Sequence, residues 1–130
     1  MGRPLRIDLR DCDTVMPSSV DMLSDMTGLP EAVTSAYIPT DLPRLADCWV
    51  TMIHLSKLLG DVLSLSYRPL GPHPSLQQVE ATEAEILLFQ FPGNPTTTDR
   101  SRLATFYAYH LQLHYQFVLL FFYLHIRVGC

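Results

Sequence analysis

Residues 42–67, "LPRLADCWVTMIHLSKLLGDVLSLSY", constrain the fold more than any other stretch. Arg44, Asp47, Thr51, His54, Lys57, Asp61, Ser64 and Arg68 recur every three or four residues. That spacing lines them up as one polar stripe on a helix. Two apolar faces flank the stripe. Leu45, Trp49, Met52, Ile53, Leu59 and Leu63 form one, and Leu55, Leu58, Val62 and Leu65 form the other. A helix this apolar needs cover on several sides. Trp49 is expected in the core, where its truncation would cost soluble protein, and Lys57 in solvent. Ser56 and Gly60 would let a neighbouring helix approach closely. Thr40 or Asp41 is the expected N-cap, with Pro43 in the first turn. "RPLGPHP" ends the helix.

Two further segments read as helices. In "PSLQQVEATEAEILLFQFPGN", Ser75 and Gln78 have the spacing of a capping box. Glu80, Glu83 and Glu85 lie early, where the helix dipole favours them. Leu76, Val79, Ile86, Leu87 and Phe89 supply an expected buried stripe, and Pro92-Gly93 the stop. The last helix is expected from Thr98 or Asp99 to Val128. Its polar stripe is weak: Arg102, Thr105, Tyr109, Gln112, Gln116, Tyr123 and Arg127. The stretch "FVLLFFYL" within it is shorter than the roughly twenty residues of a membrane span. A wider window brings in three histidines and two glutamines, which suits a deeply buried soluble helix better.

Residues 1–39 read mainly as loop, punctuated by Pro4, Pro17, Gly28 and Pro30. "LRIDL" could be a short extended piece. Ser18 and Ser19 ahead of "VDMLSDM" suggest one helical turn, and 31–39 is ambiguous. The expected fold is therefore all-α. An irregular N-terminal segment precedes about three amphipathic to buried helices within residues 40–130.

Composition limits the function. The 130 residues are 48 % hydrophobic and only 17 % charged. That is too apolar for a disordered tail and poor in charge for a small free-standing domain. Such a chain reads as part of a larger helical domain. The net charge is −4, and nine Lys and Arg are scattered singly. A nucleic-acid binder needs a basic patch, so direct DNA binding is not expected. Cys12, Cys48 and Cys130 form neither a disulfide framework nor a zinc-ligand spacing. No apolar run follows the N-terminal arginines, as a secretory leader requires.

Candidate chemistry is sparse. His110 and His114 share a face, as does His125, but His125 lies about 16 Å from His114 along a helix. All three cannot hold one ion, and hydrogen-bonded histidines beside the core are the plainer reading. "DCD" at 11–13 lacks the spacing and glycine of a calcium loop. No G-x-S-x-G, H-E-x-x-H or phosphate-binding glycine loop occurs. Neither catalysis, a metal nor a cofactor is expected. Tyr107, His110 and His114 are the candidate lining of a small effector pocket.

The N-terminal "GRPLRIDLRDCDTVMPS" resembles a signature in the regulatory domain of fungal zinc-cluster transcription factors. Gly2, Arg3, Pro4, Ile7, Asp11, Cys12, Asp13 and Pro17 carry it. "HLSKLLGDVLSLSY" is similar to that family's amphipathic helix, "PSLQQVEATEAEILLFQFPGN" to the next, and "LATFYAYHLQLHYQFVLLFFYLH" to the aromatic helix after that. The resemblance covers most of the chain. It implies a regulatory domain, also called the xylanolytic-activator regulatory region, acting in transcription in the nucleus without catalytic residues. The family's DNA-binding module, six cysteines on two zinc ions, has no counterpart here. Neither have the helices ahead of Gly-Arg-Pro or the basic-Pro-Phe segment beyond the aromatic helix, where "HIRVGC" stands. The resemblance thus implies a piece of a longer regulator. Its partners would be proteins or the rest of that regulator, with zinc and DNA contact confined to the missing module. The uncovered apolar surface implies self-association. A small membrane-associated helical protein, anchored by its last helix, is the alternative.

Overall fold

The computed structural model describes residues 12–66, 73–92 and 101–127. These are all-helical and contain no strand. In order they form α1 (Ser19–Ser24), α2 (Glu31–Tyr37), α3 (Leu42–Ser66), α4 (Leu76–Leu87) and α5 (Arg102–Phe122), and a π-helical turn (Tyr123–Arg127) continues α5. The expected extended piece at "LRIDL", most of the Gly-Arg-Pro signature, the "NPTTTD" loop and the last three residues lie outside the described residues.

The chain divides into two compact units. One gathers α3 from His54, α4, and α5 from Gln112 with the π turn. Its core joins Leu55, Leu58, Val62 and Leu65 of α3, Val79 and Ile86 of α4, and Val118, Phe122 and Ile126. Ser75 starts α4 with the expected capping box: its hydroxyl accepts from the Gln78 N–H at 3.2 Å, and its own N–H donates to Gln78 Oε1 at 3.0 Å. Two donors that a helix start would leave unpaired are thereby satisfied. The helix closes at Leu88, ahead of Pro92-Gly93. Tyr115 and Tyr123 tie the elements together with polar tips: Tyr115 donates to the Ile86 carbonyl at 3.0 Å, and Tyr123 meets Glu83 Oε1 at 3.1 Å.

The other unit holds α1, α2, α3 up to Ile53, and α5 up to Leu111. Its buried side chains are Ala46, Ala104 and Leu111, and α1 and α2 bury none. The region expected to be mainly loop thus contains two short helices. Ser18 caps α1 in a box with Asp21. The Ser19 hydroxyl meets Asp47 Oδ1 on α3 at 2.5 Å. Gly28, at φ +91, turns the chain between α1 and α2 in a backbone region that side chains disfavour.

Three expectations about faces need correction. Trp49 is 45 % exposed. In its own unit α3 buries Ala46, three residues earlier, instead. Both faces were apolar, and the unit built on the second half of α3 packs on the face of Leu55, Leu58, Val62 and Leu65. On α4, Val79 and Ile86 are buried, but Leu76 and Leu87 are 73 % and 62 % exposed. Finally, α5 is buried along one face only, not all round.

Candidate functional site

The candidate effector-pocket residues all lie on α5. Tyr107 is exposed and His110 half-buried. Both sit beside Phe106: the Tyr107 ring meets it edge-on at 5.5 Å, and His110 stacks on it at 5.9 Å. His114, also half-buried, belongs to the other unit. Phe106 is itself 59 % exposed, so Tyr107 and His110 flank an open aromatic surface. His125 is exposed, lies flat on Phe121 at 5.0 Å, and has Nδ1 3.3 Å from the Phe121 carbonyl. Stacking and backbone contact account for its place on the π turn.

Among the described residues, no three His, Cys, Asp or Glu side chains are placed to hold one metal ion. Cys12 is exposed and Cys48 half-buried. Burial pushes the Cys48 thiol up. Arg44 works against that shift and Asp47 adds to it.

What the helices do offer is apolar surface. Leu103, Phe106, Leu113, Phe117, Leu120 and Leu124 are all between 43 % and 59 % exposed. Leu76, Leu87 and Leu88 add to this on and just after α4, and Trp49 on α3. Singly exposed apolar residues are ordinary on protein surfaces, whereas contiguous sets mark contact sites. The sequence pattern assigned this helix to a deeply buried core. The signal for an outward face was available in the spacing along α5. It was masked because nearly every other position is apolar too. The Ser101 cap was also missed: its hydroxyl accepts from the N–H groups of Leu103 and Ala104. The expected caps Thr98 and Asp99 lie outside the described residues.

By length and composition, one helix among the described residues could cross a membrane. That helix is α3. Compared with family models, curated proteins and solved structures, the chain matches none.

Proposed function

We propose that this chain is a helical interaction module of a transcription regulator, of the kind found in the regulatory domains of fungal zinc-cluster factors. The observation that carries the reading is the set of half-exposed Leu and Phe side chains along α5, on a helix whose other face is already packed. Exposed apolar surface of this kind marks a contact site, and the reading assigns that contact to another protein. The ordered sequence resemblance, from the Gly-Arg-Pro signature to the aromatic helix, supplies the regulatory context and the nuclear setting. In this reading the module acts by protein contact. DNA is reached only through a separate zinc-cluster module, and the parent regulator is one partner.

Fusing the chain to an unrelated sequence-specific DNA-binding module in a fungal host, above a reporter, tests this. The fusion is expected to change reporter output several-fold relative to the DNA-binding module alone. Charged substitutions on α5 should abolish the change. An unchanged reporter, with the fusion present in the nucleus at normal level, would refute the reading. Recovery of the unfused chain in a carbonate-resistant membrane pellet would favour the membrane-associated alternative instead.

A further inference from the structure

The hydroxyl of Ser19 on α1 donates to the carboxylate of Asp47 on α3, twenty-eight positions later, at 2.5 Å. Both residues lie in the same compact unit. Asp47 belongs to the polar stripe of α3, so α1 lies against the polar side of that helix. The burial pattern agrees. On α1 the half-buried positions are Ser19, Met22 and Leu23, which share one face at spacings of three and four. On α3 the stripe residues one turn either side of Asp47, Arg44 and Thr51, are half-buried, whereas Lys57 farther along the stripe is exposed.

Little holds α1 there. It buries none of its side chains fully. Its other side-chain hydrogen bonds are local, within the Ser18–Asp21 box and from the Ser24 hydroxyl to the Asp21 carbonyl. Among the described residues, Ser19 to Asp47 is the one hydrogen bond from α1 to another helix. The helix has six residues, well below the roughly twelve to fifteen at which isolated helices begin to persist. The amides of Met22 and Asp25 reach the Ser18 and Asp21 carbonyls only at 3.4 Å. The link from α1 to α3 adds no second hold. It turns at Gly28, and α2 buries no side chain and keeps the hydrogen bonds of Thr34 and Ser35 within its own turns.

We propose that α1 is a clasp on α3, latched by Ser19 and Asp47, that opens and closes while the rest of the chain stays folded. Closed, it lies over the polar stripe at Arg44, Asp47 and Thr51. Open, it leaves that charged stretch of α3 free for contact, so the clasp governs when this surface can be engaged. A few half-buried side chains and one solvent-reached hydrogen bond make opening a local event, distinct from unfolding of the cores. The clasp works in the same way whatever partner the chain has.

Amide hydrogen exchange of the purified full chain, followed by NMR, tests the clasp. The Met22 and Asp25 amides should exchange more slowly than in an unstructured peptide, yet at least about tenfold faster than the innermost amides of α4. Ser19→Ala should speed them by about two- to tenfold and leave α4 unchanged. Alanine is a better helix former than serine, so the acceleration cannot come from a weakened helix. Asp47→Ala should do the same, and the double variant should go no further than either single one, because the two residues form one latch. Wild-type amides of α1 that exchange as in an unstructured peptide would mean that no closed form exists, and the clasp would fall. Amides as slow as those of α4 would mean that α1 opens only when the chain unfolds, which overturns it equally. Rates indifferent to both substitutions, or effects that simply add in the double variant, would remove the latch.

Discussion

The hydroxyl of Tyr115 donates to the backbone carbonyl of Ile86, 3.0 Å away and twenty-nine positions earlier in the chain. Ile86 is in the last turn of α4, where carbonyls lose their usual helical partners, and its carbonyl also accepts from the Phe89 N–H at 3.3 Å. The ring of Tyr115 also stacks on Phe89 at 5.8 Å. One side chain on α5 therefore holds the end of α4 by both a polar tip and an apolar body. Tyr115→Phe keeps the stack and removes the donor. It is expected to destabilise the chain by about 1 kcal/mol, read as a lower urea midpoint with unchanged helical content. No change in midpoint would mean that the Phe89 N–H and water satisfy the Ile86 carbonyl equally well.

Phe122 and Trp49 separate two aromatic residues of similar size by their surroundings. Phe122 is completely buried among Leu55, Val62, Ile86 and Val118, whereas Trp49 is 45 % exposed. Phe122→Ala should cost about 3–5 kcal/mol through lost burial and the cavity left behind. Trp49→Ala should cost clearly less than that range. Lys57→Ala should change stability by no more than about 0.5 kcal/mol, since its ion pair with Asp61, at 3.2 Å, is half in solvent. Urea midpoints of the three variants check the ranking. A Trp49→Ala loss as large as that of Phe122→Ala would restore Trp49 to the core.

That contrast shows how far the sequence could be read. The existence of α3, α4 and α5 followed from three-and-four spacing and from the Ser75–Gln78 cap, because these are local signals. Which arc of α3 is buried did not follow. Trp49 and Leu58 both sit in apolar surroundings along the chain, and only tertiary packing separates them. On α5 the same excess of Leu, Phe and Tyr hid which positions are exposed and which are buried. The short α1 and α2 lack apolar periodicity, and α2 starts at Pro30 with no side-chain cap. Ties such as Tyr115 to Ile86, or Ser19 to Asp47, join residues distant in sequence and leave no local mark. Of the candidate site, Tyr107 and His110 do come together, around Phe106. That residue had not been singled out.

Asp21 should make the start of α1 sensitive to acid. The Ser18 backbone N–H donates to its carboxylate at 2.7 Å and the Ser18 hydroxyl at 2.8 Å. These bonds, the backbone one first, hold the carboxyl below its ordinary value. A depressed folded value means that the box's contribution is complete above the ordinary carboxylate value. It is lost as pH falls through the lowered one. Carboxyl-carbon NMR should therefore give Asp21 a lower midpoint than a free aspartate, and Ser18→Ala should raise that midpoint. An Asp21 midpoint unaffected by Ser18→Ala would show that the box does not persist in solution.

Cys48 should be a slow thiol with a charge-dependent rate. Burial is the main reason its thiol is pushed up, and the Asp47 carboxylate adds to the shift while Arg44 opposes it. The nucleophile is the thiolate, so alkylation of Cys48 by iodoacetamide should be slow at neutral pH. It should rise about tenfold per pH unit until the thiol titrates. The two neighbours then predict opposite signs. Arg44→Gln removes the stabilising cation, raises the thiol further and slows the reaction at fixed pH. Asp47→Asn removes the opposing anion and speeds it. Peptide-level mass spectrometry of the alkylated chain reads Cys48 apart from Cys12 and Cys130. If both substitutions moved the rate in the same direction, altered access to a half-buried side chain would be responsible instead. A rate that ignored both would leave burial as the sole cause.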